Sequence, residues 1–131
     1  MNKEIKNWLA MADYDLTTAG QMFKTGRYVY VVFMCHLAIE KTLKAIVSAE
    51  TEKIPPKTHD LIYLLNVGGI LLSEDLSDFI GMINNVSIVT RYPEDLSKLV
   101  SSYPKIIVRK YLDKTQEVIQ CLRQDKRLKQ S

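Results

Sequence analysis

The side chains best suited to chemistry lie in three short stretches: "CHLAIEKTLKA" (35–45), "PPKTHDL" (55–61) and "TRYP" (90–93). In the first, His36 and Glu40 stand one helical turn apart and can meet on one face, as can Glu40 and Lys44. A histidine and a glutamate at that spacing are half of a metal site. A carboxylate-bridged bundle needs further Glu and Glu-x-x-His ligands on facing helices, and the sequence holds neither a Glu-x-x-His nor a second such pair. No metal and no cofactor are expected. The structural reading lets Glu40 fix a partly buried His36 imidazole while Lys44 stays solvated. The functional reading makes the three a contact for nucleotide or RNA.

His59 lies near the start of a short helical pattern. A histidine in a first turn gains nothing from the helix dipole once protonated, so a neutral ring bonded to a loop carbonyl is one reading. The other holds His59 ready for a phosphate or a proton transfer near neutral pH. Asp60 is suited to the positive helix end and needs no catalytic explanation. Arg91 closes a helical run, where it can bond open carbonyls while Tyr92 packs and Pro93 stops the helix. Its planar guanidinium also suits phosphate, held there on a rigid element. Both readings stand. No Gly-rich phosphate loop, His-Glu-x-x-His or nucleophile-elbow motif occurs.

The elements that must carry these groups are helical. Ile5, Trp8, Leu9, Ala12, Leu16, Ala19 and Phe23 recur at three- and four-residue steps, with Asp13 and Asp15 off that stripe and Gly26 as the stop. A second run from Tyr28 looks strand-like as far as Met34. It continues into Ala38, Ile39, Leu43, Ala45, Ile46 and Val47 at helical spacing, and one continuous pattern outweighs a short β-branched run. Its first half is nearly all apolar, which predicts burial on several sides or a face that meets another subunit. "TEKIPPKTHD" is the clearest break, with two prolines and Thr58 as a cap. A short helix follows with Leu61, Ile62, Leu64 and Leu65 inward, ended by Gly68 and Gly69. Ser73 opens another long helix whose stripe is Leu76, Phe79, Ile80, Ile83 and Val86, with Val89 as a further candidate. A loop through Pro93 and Pro104 leads to the last helix, with Ile107, Tyr111, Val118, Cys121 and Leu122 inward.

The chain of 131 residues, 47% hydrophobic and 25% charged, fits one helical domain spanning 1–131 with a short basic C-terminal tail. No apolar run is long enough for a membrane span and no signal-peptide core follows the start, so a cytoplasmic protein is expected. Cys35 and Cys121 are far apart with apolar neighbours and are expected as two reduced core thiols. Residues 105–131 carry eight Lys/Arg against three Asp/Glu, a balance of +5, while residues 1–104 sum to −2. That basic end fits a nucleic acid or acidic partner, and equally a solvated helix end favoured by the dipole. Long helices with short connections predict an all-α, up-and-down bundle of four to five helices.

Trp8, Ala12 and Asp15-Leu16, then "CHLAIEKTLKA", "PPKTHDL" and "TRYP", resemble the prokaryotic HEPN domain family in their order and separation, over nearly the whole chain. The resemblance implies a helical bundle that commonly forms homodimers, often beside a small nucleotidyltransferase and in some cases as a toxin–antitoxin pair. Family members with ribonuclease activity carry an arginine followed after roughly four to six residues by a histidine. That motif is absent here: Arg27 and His36 have eight residues between them, and neither Arg91 nor Arg109 has a histidine after it. What carries over is Glu40 and Lys41, His59, and Arg91-Tyr92-Pro93. The resemblance therefore points to a non-catalytic homodimeric partner of a small nucleotidyltransferase or nucleotide-binding module. The alternatives are a divergent metal-independent ribonuclease using His59 and Arg91, and stand-alone nucleotide or RNA binding. His36, Glu40, Lys44, His59, Arg91 and Tyr92 are the candidate contacts.

Overall fold

The computed structural model describes residues 2–91 and 94–129, the side chains of 87–91 excepted. Six α-helices follow in order among them: α1 (Lys3–Lys24), α2 (Tyr28–Thr51), α3 (Leu61–Gly68), α4 (Glu74–Arg91), α5 (Leu96–Ser102) and α6 (Lys105–Arg123). A 3-10 turn, Lys126–Leu128, closes the described chain. The all-α bundle agrees with the periodicity, but six helices replace the expected four to five. The addition is α5, in the predicted loop, where the Asp95 side chain accepts from the Lys98 amide and Leu99 turns inward.

α2 is the axis of the molecule and touches each of the other five helices. Its continuous apolar pattern requires this, since Ala38, Ile39, Leu43, Ile46 and Val47 are all fully buried. Around it pack Ile5, Leu9 and Ala19 of α1, Leu61 and Leu64 of α3, Phe79, Ile80 and Ile83 of α4, and Val108, Val118 and Leu122 of α6. Trp8 and Leu16 lie half-buried against this core, and Phe33 is half-buried too. Gly26, at φ 78°, ends α1 in the left-handed conformation, letting the Arg27 amide reach back to the Met22 carbonyl. Gly69, at φ 57°, ends α3 in the same way.

Several expected positions are reversed. Ile62 and Ile107 are exposed, because Leu61 and Val108 beside them take the inward places. Cys121 is also exposed and only Cys35 is a core thiol. Burial pushes the Cys35 thiol up to about 12, and a contact with Thr115 offsets only part of this. Asp60, rather than Thr58, caps α3 with its side chain, while the Thr58 hydroxyl accepts from the Asp60 amide. The basic C-terminal segment is not simply a solvated tail. Leu128 is buried, and the Arg127 guanidinium donates to Asp125, to Glu50 of α2 and to the Gly68 carbonyl at the end of α3.

Candidate functional site

The site forms where the middle of α2 meets the loop into α3. Glu40 projects from α2 into a space where its side chain is only 4% exposed, and the helix places His36 and Lys44 one turn to either side. His59 arrives from the loop stiffened by Pro55 and Pro56. Its Nδ1 lies 2.8 Å from Glu40 Oε1. Lys44 Nζ donates to Glu40 Oε2 at 3.2 Å. One carboxylate thus joins the middle of α2 to a loop residue 19 positions further along the chain.

The expected roles are redistributed. Glu40 does not chiefly hold His36, whose buried Nδ1 is 3.8 Å from Oε1, longer than a hydrogen bond. Lys44 is not solvated: it is buried, with Nζ 5.5 Å from the centre of the Trp8 ring. His59 meets a carboxylate and not a loop carbonyl. The carboxylate accepts, so Nδ1–H donates and Nε2 is left on the far side of a ring whose side chain is 60% exposed.

Two neighbouring contacts escaped the sequence reading. Asp15 is buried rather than off the packed stripe, and Lys41 Nζ donates to its Oδ2 at 2.5 Å. Spacing within α1 cannot reveal this, because the partner lies on the next helix. Asn84 of α4 accepts from the Leu61 amide at 2.9 Å and donates to Asp60 at 3.2 Å. Asp60 in turn accepts from the amides of Ile62 and Tyr63. The loop carrying His59 is therefore pinned to α2 on one side and to α4 on the other.

His36, Glu40, Lys44 and His59 are brought together. Arg91 ends α4, two helical turns beyond Asn84 in sequence, but its side chain, together with Tyr92 and Pro93, lies outside the described residues. Among the described residues no group of three or more His, Cys, Asp or Glu is placed to hold a metal. None of the described helices is long and apolar enough to cross a membrane. Much of the positive charge of the last helix is answered internally: Arg109 by Asp113, Lys114 by Asp75 and Glu117, and Arg123 by Asp13.

The fold is similar to that of TT1696 from Thermus thermophilus, seen in a crystal structure. The TM-score is 0.76 at 23% identity, covering 92% of this chain and 97% of that one. At that identity the likeness concerns the fold alone. No curated protein matches the chain. The HEPN domain family matches residues 5–126, from the first buried position of α1 to the turn after α6, and the chain belongs to that family.

Proposed function

We propose that the chain is a non-catalytic HEPN subunit, a homodimer that serves as partner to a small nucleotidyltransferase or another nucleotide-handling protein. One observation carries the reading: the charged residues of its polar centre are bonded to one another. Glu40 is shared by Lys44 and His59, and Lys41 is committed to Asp15. Such groups join helices, and leave little for a substrate. The start of α2 supports self-association, since Tyr30 is 58% exposed amid the half-buried Tyr28, Val29, Phe33 and Met34. The test is to purify the native complex from cells and identify its proteins and small molecules, with light scattering on the isolated chain. Recovery with a nucleotidyltransferase and a mass near twice 15.1 kDa is expected. A concentration-independent single-chain mass removes the homodimer.

One observation favours a second reading, a divergent metal-independent ribonuclease. A buried carboxylate that holds Nδ1 of an exposed imidazole orients its Nε2 for proton transfer. Purified protein against structured and unstructured RNA, beside His59→Ala and Arg91→Ala, separates the two. No cleavage is expected. Metal-independent cleavage by the parent, lost in both variants while fold and mass persist, would put the ribonuclease first.

A further inference from the structure

A groove of about 640 Å³ runs between α4 and α6, away from Glu40 and His59. The two helices are antiparallel there: Asp75 pairs with Lys114, and the Phe79 ring packs on Tyr111 with centroids 5.9 Å apart. Phe79 and Tyr111 are buried and form the floor. Met82 and Ile107 continue it toward the other end, yet remain 49% and 37% exposed. From Asp75 to Met82 is two helical turns, about 10 Å at 1.5 Å per residue. An apolar strip of that length between two helices matches the ridge of a third.

Charge says what kind of helix. Asp75 and Asp78 stand on the α4 side, Asp113 and Glu117 on the α6 side, against only Lys110 and Lys114. Arg109 just outside the lining answers Asp113, so the groove keeps a small negative excess in a chain whose formal charge is +3. Asp78 is exposed and its carboxylate has no partner among the described residues, so it is open to a cation from outside.

We propose that this groove binds a cationic amphipathic helix of a protein partner. Its apolar side chains rest on Met82 and Ile107, and its lysines or arginines reach Asp78, the lining carboxylate that no cation among the described residues holds. The proposal rests on the partner reading above, because it needs a second protein to supply the helix.

The test titrates the full chain with a helical peptide of leucine and lysine, leucines at three- and four-residue steps, followed by fluorescence anisotropy. The same peptide with glutamate for lysine is the control. The lysine peptide should bind at least about tenfold more tightly than the glutamate peptide. Met82→Glu should weaken it about tenfold although it adds negative charge, and Asp78→Lys should weaken it as well. Leu71→Glu, at a site 95% exposed and outside the groove, should leave binding unchanged. Circular dichroism must show the variants folded. Equal binding of the two peptides, or parent-like binding by Met82→Glu, overturns the proposal. So does a dimer that Met82→Glu turns into a monomer, since a second copy then covers the groove. Failure of the peptide arm while a nucleotidyltransferase copurifies removes the groove alone. Groove-dependent peptide binding with a copurifying protein other than a nucleotidyltransferase removes the nucleotidyltransferase reading alone.

Discussion

Glu40 and Asp13 are both carboxylates answered by cations, and they sit in regions that use charge differently. Glu40 is 4% exposed and held between Lys44 and His59, with the Trp8 ring beside the ammonium. Asp13 is 58% exposed and faces Arg123 from across the surface of α1 and α6. Its hydrogen bonds are the shorter, at 2.6 Å against 2.8 and 3.2 Å. Distance is therefore a poor guide to importance. In water an ion pair replaces good hydration with a similar attraction, whereas a buried charge that loses its partner has nothing to replace it. The buried cluster fixes where the His59 loop sits on α2. The surface pair contributes little to fold or position.

The largest effect should therefore follow Glu40→Ala, which strands Lys44 and releases His59. A loss of about 3–5 kcal/mol is expected, the range for breaking a buried pair from one side. Leu43→Ala on the same helix is the apolar yardstick, and full burial there predicts about 2–5 kcal/mol. Urea unfolding of parent and both variants checks the comparison. If Glu40→Ala costs under about 1 kcal/mol, the surface range, the cluster is not energetically distinct from the surface pairs.

Arg127 lies between the two extremes, 24% exposed and bonded to Asp125, Glu50 and the Gly68 carbonyl. Arg127→Ala should cost about 1–2 kcal/mol, less than Glu40→Ala because water can reach the groups it leaves. The same clamp gives a pH signature. Hydrogen bonds from Arg127 hold the Asp125 carboxyl below its ordinary 3.8. A carboxylate depressed in the folded state stabilises fully above its unfolded value and loses that contribution as pH falls through the folded one. The stability gap between parent and Asp125→Asn should thus be level at neutral pH and close progressively below about pH 3.8. Urea midpoints across that range measure it. A gap that instead widens in acid contradicts the clamp.

The contrast also explains what could be read from the sequence. Helical spacing identified α2 through its strand-like start, because Ile39, Leu43 and Ile46 continue one period into the core. It placed Glu40 within reach of Lys44, a relation inside one helix. It could not bury Asp15, whose partner Lys41 is 26 residues away on another helix. Nor could it link His59 to Glu40, because a loop breaks the period between them. Single-helix patterns assign lone charges outward by default, and that default failed at Asp15 and Lys44. Conversely, it set Cys121 inward beside Val118 and Leu122, though α6 turns Ile119 to the core with those two and leaves Cys121 exposed. The helix α5 was missed between two prolines. Its signs were an Asp95 cap and an inward Leu99, too short a pattern to show a period.

The smallest expected effect belongs to the surface pair, and a coupling measurement shows it best. Asp13→Ala and Arg123→Ala, singly and together, should give a coupling of about 0–1 kcal/mol that shrinks further as salt is added. The corresponding cycle with Glu40→Ala and His59→Ala should give a larger coupling with little salt dependence, since Glu40 lies where ions do not reach. His59 is itself well exposed, so its variant can lose the bond without leaving a cavity. That makes it the cleaner partner for the cycle than Lys44, whose removal also strips the cation from Trp8. Equal couplings with equal salt dependence in the two cycles would mean that water screens the Glu40–His59 bond as it screens Asp13–Arg123. The loop would then rest on Asn84 and the capped start of α3 instead of on the carboxylate.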